Sequence, residues 1–221
     1  MSCLDAITKD SDMKKIRLYD YQRDMLRDII NMLTAQSLQI GNVNGKKVGL
    51  GNSVMVQMPT GTGKTYVMAA TVKWFLDNHD EGEVWIVAHR RELVEQMQQT
   101  LDRFCLNYGE KEMELKAKVK IRVLSIQWLN RHIGELETAN SIPGFIIVDE
   151  AHHAIADSYQ KLFDRNRKAL KLGMTATPCR MNKNSFTKLF ERLIVSPCTN
   201  DFIMRGYLAP YDYVVIGKFS Q

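Results

Sequence analysis

The segment that most constrains this chain is Met58-Pro59-Thr60-Gly61-Thr62-Gly63-Lys64-Thr65. It stands between an apolar run, Asn52 to Gln57, that reads as a strand and a stretch of helical spacing from about Gly63 to Leu76. Glycines at a strand-to-helix turn let the backbone fold tightly, so that its N–H groups and the helix N-terminus point at phosphate. There Thr60, Gly61, Thr62 and Gly63 form the cradle, Lys64 can reach the β and γ phosphates, and the Thr65 hydroxyl can ligate Mg²⁺. The common pattern opens on Gly where this chain has Met58, but the phosphate-contacting GxGKT part is intact.

The rest of the chain alternates short apolar runs with longer helical stretches. Val84 to Ala88, Ile121 to Ile126, Phe145 to Val148, Ala169 to Met174, Leu193 to Ser196 and Tyr213 to Ile216 read as further strands. Arg90 to Phe104, and a stretch ending near Leu136, have helical spacing. Strands joined by crossover helices give an α/β fold, a mostly parallel sheet with helices on both faces. Continuous apolar strands fit burial on both sides. Before the first strand, Tyr21, Met25, Ile29 and Leu33 recur every fourth residue and define an amphipathic helix. Gly41 to Asn52 reads as a loop or hairpin, and Asn107 to Lys120 as an exposed insertion.

Asp149-Glu150-Ala151-His152 follows the apolar FIIV strand directly. Ligands of open α/β sheets gather at the carboxyl ends of strands, so these carboxylates should face the phosphate loop. Asp149 can then hold the Mg²⁺ shell, and Glu150 can polarise the water that attacks in line. His152 is placed to sense or couple the hydrolysis state. The adjacent His152 and His153 do not make a zinc site, because HExxH is absent and no cysteines stand nearby.

Composition narrows the class. The four cysteines form no CxxC pair, and no apolar run approaches the ~20 residues that cross a bilayer. A cytoplasmic chain with no membrane partner is the simplest expectation. The net charge is +5, and Lys161 to Arg192 alone carries nine basic residues against two acidic ones. That cluster is either a contact for a polyanion or a solvated helix face.

Taken in order, these segments resemble superfamily 2 helicases over nearly the whole chain. Arg17-Leu18-Tyr19-Asp20-Tyr21-Gln22 resembles the segment whose glutamine recognises adenine, here Gln22. PTGTGKT resembles motif I, Val87-Ala88-His89-Arg90-Arg91-Glu92-Leu93 motif Ia, and Leu124 to Leu129 the Ib region. DEAH resembles motif II, and Gly173-Met174-Thr175-Ala176-Thr177-Pro178 motif III. The resemblance implies a RecA-like P-loop NTPase fold, with ATP and Mg²⁺ as cofactors. It implies that Thr175 and Thr177 link the γ-phosphate state to strand movement. It also implies that His89, Arg90 and Gln127 touch a sugar-phosphate backbone, contacts that position without reading sequence. Trp128 could stack on a base, but a large apolar residue at a helix start more often belongs to the core. The segment from Phe190 to Pro210, ending in Arg205-Gly206-Tyr207-Leu208-Ala209-Pro210, resembles bacterial DNA-repair helicases and type III restriction motor subunits, so DNA is the expected partner.

Motors of this kind have two similar lobes, the second supplying arginine fingers. Residues 1–221 hold one phosphate loop and no QxxGRxxR segment. The chain is therefore expected to be one ATP-binding domain whose partner lobe lies elsewhere, binding nucleotide weakly and unwinding nothing alone. The intact Lys64, Thr65, Asp149 and Glu150 argue against a catalytically idle scaffold, and two further alternatives stand beside a helicase. One is a double-strand translocase or restriction motor that does not separate strands. The other is a P-loop switch or small-molecule kinase that never touches nucleic acid, against which the missing NKxD and the TATP after DEAH both argue.

Overall fold

The apolar runs pair into a six-stranded, wholly parallel sheet in the computed structural model, which describes residues 17–35, 52–89, 91–103, 121–153, 157–176 and 189–211. The strands are β1 (Ser53–Gln57), β2 (Glu83–Ala88), β3 (Ile121–Ser125), β4 (Pro143–Val148), β5 (Leu170–Thr175) and β6 (Arg192–Val195). Their order across the sheet is β3-β2-β4-β5-β1-β6. The helices are α1 (Asp20–Thr34), α2 (Lys64–Asn78), α3 (Arg91–Arg103), α4 (Ile126–Thr138), α5 (Asp157–Arg165) and α6 (Thr199–Met204). The expected strand at Tyr213 to Ile216 and the insertion at Asn107 to Lys120 lie outside the described residues.

Burial on both faces explains why the strands read as unbroken apolar runs. Side chains alternate across the pleat. Val54 and Val56, Val84 and Ile86, and Phe145 and Ile147 pack on one face with α1, α2, α3 and α6. Met55, Trp85 and Val87, and Ile146 and Val148 pack on the other with α4 and α5. Helix α2 is buried over most of its circumference, from Val67 through Phe75, so its apolar residues lack a single stripe. Helix α1 keeps a stripe, with Tyr21, Met25, Ile29 and Leu33 inward.

Because all strands run the same way, every strand end lies on one edge and every start on the other. At the starting edge Glu83 gathers three donors. Trp85 Nε1 donates at 2.8 Å, Arg122 donates through Nε at 2.7 Å and Nη2 at 3.3 Å, and the Ser141 hydroxyl also donates. Burial pushes the Glu83 carboxyl up, but these donors outweigh it and hold the group below its ordinary range. A depressed carboxyl contributes stability that is complete above the unfolded-state pKa and is lost as pH falls through the folded one. Glu83→Gln is therefore expected to cost about 1–3 kcal/mol at neutral pH. It should also flatten the loss of stability below roughly pH 4, as urea melts across pH 3–7 would show.

The basic cluster does not act as one surface. Lys171 is only 4% exposed, donating to the carbonyls of Ala169 (2.8 Å) and Arg167 (3.1 Å), and burial lowers its ammonium pKa to about 8. Arg192 donates to Met32 O at the end of α1, and Arg165 pairs with Glu137. Arg167 and Lys168 precede β5 and so stand at the edge opposite the phosphate loop. For these residues the solvated or structural reading holds; Arg180, Lys183 and Lys188 lie outside the described residues.

Candidate nucleotide-binding site

The phosphate loop leaves β1 after Gln57, and Met58 N donates to Thr175 O at 2.9 Å, extending the β1–β5 pairing past the strand. Thr62 then turns the chain by donating its hydroxyl to Pro59 O at 2.7 Å. Gly61 (φ +83) and Gly63 (φ +76) occupy the left-handed region that glycine enters at little cost. Gly63 caps α2, which begins at Lys64. Among the described residues the amides of Gly61, Gly63, Lys64 and Thr65 have no hydrogen-bond acceptor. Unpaired donors at a helix start form a cradle for an anion.

The two acids stand across from this loop. β5 lies between β1 and β4, with Val148 opposite Gly173 and Gln57 opposite Thr175, so the ends of all three strands meet on one edge. Burial pushes the Asp149 carboxyl up, and the Glu150 charge adds to this. The Glu150 N–H, donated at 3.0 Å, and the charges of Lys64 and His152 oppose it without cancelling it. Lys64 is thus close enough for its ammonium to act on Asp149. Glu150 itself sits at φ +48, an uncommon backbone for a residue with a Cβ. Its Oε2 lies 3.2 Å from His152 Nδ1, which in turn lies 3.0 Å from Thr175 Oγ1. His152 therefore joins the acids after β4 to the tip of β5.

The donor set fits a nucleoside triphosphate with Mg²⁺. The unpaired amides and Lys64 match phosphate oxygens, while Thr65 and the charge-burdened Asp149 are oxygen ligands of the kind Mg²⁺ takes. Among the described residues no group of three or more His, Cys, Asp or Glu could cage a metal alone.

Gln22 is found at the phosphate loop itself. It is 2% exposed, its Oε1 accepts from Tyr19 N at 2.9 Å, and its Nε2 donates to Thr62 O at 3.1 Å and toward Tyr21 Oη at 3.4 Å. Tyr21 Oη also donates to Thr62 O, at 2.9 Å. In this state the glutamine amide props the loop from behind. Sequence reasoning missed that contact, and it missed that the RGYLAP segment closes over the same place. Tyr207 packs edge-on against Tyr21 at 4.7 Å, and Leu208 lies against Gly61. The aromatic and apolar residues at 207–208, after a helix of only six residues, were the available signal.

Gln127 Nε2 donates to His89 O at 2.9 Å, which brings the ends of β2 and β3 together. Arg90 and Thr177 lie outside the described residues. The core reading of Trp128 is overturned. Ser125 Oγ caps α4 by accepting from Trp128 N, and the Trp128 indole is 40% exposed and stacked on His132 at 4.4 Å.

A parallel sheet with a phosphate loop after one strand and paired acids two strands away defines a RecA-like P-loop domain of the helicase-like ATPase class. The chain belongs to the family described as "Type III restriction enzyme, res subunit", which matches residues 15–180. It is 30% identical over 159 residues to a 51.5 kDa protein of a Lactococcus phage, covering 72% of this chain and 32% of that one. It is 26% identical over 194 residues to a candidate ATP-dependent helicase, IRC3, of Saccharomyces cerevisiae, covering 80% and 26% of the two chains. In three dimensions it is similar to the UvsW helicase of bacteriophage T4, with a TM-score of 0.61 at 17% identity, covering 87% of this chain and 66% of that one. The chain spans about a quarter to a third of the length of the first curated relatives it matches.

Proposed function

We propose that this chain is the ATP-binding lobe of a nucleic-acid-dependent ATPase, a DNA helicase acting in DNA repair or processing. The observation that carries the reading is the meeting of Lys64, Asp149 and Glu150 on one sheet edge, two strands apart. In that role the loop amides and Lys64 hold the phosphates, and Thr65 and Asp149 hold Mg²⁺, which neutralises charge that builds up during phosphoryl transfer. Glu150 orients and deprotonates the attacking water. His152 carries the change at the γ-phosphate to Thr175, and with Thr177 to the strand-binding side. Gln22 selects adenine by exchanging its present bonds for the base edge. His89, Arg90 and Gln127 hold the sugar-phosphate backbone. A second RecA-like lobe closes the cleft and contributes arginine, an effect worth roughly 10³–10⁵ in rate.

The membership in a restriction-enzyme subunit family supports DNA as the partner, and it also sustains a second reading, a motor that tracks duplex without separating it. No helix among the described residues is long and apolar enough to cross a membrane. DNA is expected to raise the steady-state ATPase rate of the protein that carries both lobes, and a forked duplex is expected to be unwound. Stimulation without unwinding would select the translocating motor. An ATPase indifferent to every nucleic acid would leave only the P-loop switch.

A further inference from the structure

We propose that Tyr159 is a positioning residue for Asp149, its hydroxyl donating to that carboxylate through one water when the nucleotide site is loaded. The inference rests on the function proposed above and adds a residue that no motif contains. Tyr159 lies in the first turn of α5 and is 1% exposed, in the same packed cluster as Val148 and Ala151, the residues that bracket Asp149 and Glu150. Its hydroxyl is buried and makes no hydrogen bond among the described residues. A buried phenol normally finds a partner, because leaving the group unpaired is costly.

The charged group that acts on this phenol, Asp149, is also under-used. Among the described residues Asp149 accepts one hydrogen bond, from Glu150 N, although a carboxylate has about four lone-pair sites. The two groups feel each other, since burial and then the Asp149 charge push the Tyr159 phenol well above its ordinary pKa. They are close enough to interact and too far apart to bond directly. A single water bridging them would satisfy both groups, as buried waters commonly do for polar groups without a protein partner. Tyr159 would then fix which Asp149 oxygen turns toward the phosphate loop. Groups that orient a metal ligand in this way typically affect metal affinity by ~10–100-fold.

The test compares wild type with Tyr159→Phe in the full chain. One arm titrates Mg²⁺ against binding of a fluorescent ATP analogue, and the other follows thermal unfolding in EDTA without nucleotide. The Mg²⁺ concentration for half-maximal binding should rise about tenfold, with metal-free nucleotide binding unchanged. The metal-free melting temperature should stay level or increase, because the variant deletes an unpaired buried group. An unchanged Mg²⁺ requirement would overturn the proposal and leave the hydroxyl as an unsatisfied passenger. A lower melting temperature would overturn it in another way, by showing that the hydroxyl serves the fold. If wild type itself binds the analogue with no response to Mg²⁺, the proposed nucleotide site fails, and this role fails with it.

Discussion

Glu150→Gln should leave nucleotide binding intact and lower the ATPase kcat of the two-lobed protein by about 10²–10⁴-fold, the range a positioned general base supplies. Glutamine keeps the volume and one acceptor oxygen, so the contact to His152 Nδ1, now 3.2 Å, can persist. What disappears is the negative charge that draws a proton from water. The substitution also relieves Asp149 of a like-charged neighbour, because Glu150 is one of the influences raising the Asp149 pKa. Affinity for ATP with Mg²⁺ should therefore hold or improve while turnover collapses. Equilibrium binding of a fluorescent ATP analogue beside steady-state phosphate release separates the two. Turnover that survives within threefold would remove Glu150 from the base role.

Gly63→Ala should have the second largest effect, and on a different quantity. A Cβ built on Gly63 would collide with Gln22 Nε2, and the backbone there has φ +76. The left-handed conformation costs an alanine about 1–2 kcal/mol, and overpacking against a buried neighbour typically costs about 1–3 more. Gln22 has little room to yield, since its amide is already bonded to Tyr19 N and Thr62 O. The loop must shift instead, carrying the amides of Lys64 and Thr65 with it. Stability is expected to fall by about 2–4 kcal/mol in urea melts, and nucleotide affinity by at least tenfold. Gly134→Ala is the control. It lies inside α4 with nothing within 4 Å of the new Cβ, so alanine there should be neutral or stabilise by about 0.5–1 kcal/mol.

The fold was readable because burial on two faces leaves a plain trace. FIIV and VWIVA are too short for helices and too apolar for an exposed face, and both lie in the middle of the sheet. The direction of the strands then followed from their crossover helices, and with it the shared edge of Lys64 and Asp149. Contacts that depend on rotamers and on chain returning from far away were not readable. Gln22 carries one signal in sequence, but its burial against Thr62 depends on a helix 40 residues upstream reaching the loop. Trp128 reads as core by residue type, yet its position on the helix leaves the indole exposed. Lys171 reads as one more surface charge, although it occupies a strand position whose neighbours are buried. Tyr159 left no trace at all, because a tyrosine between polar residues gives no hint that its hydroxyl will be buried with no direct partner among the described residues.

β5 donates no residue to the cradle and no acid to the pair, yet it sets the distance between them. With one strand interposed, the banks of the cleft are two interstrand steps apart, roughly 9–10 Å. That gap can admit a metal and a phosphate group together. The same strand is held to one bank by Met58 N on Thr175 O and to the other by His152 on the Thr175 hydroxyl. A displacement of this one threonine is consequently felt on both sides of the cleft at once, as a keystone is felt by both halves of an arch.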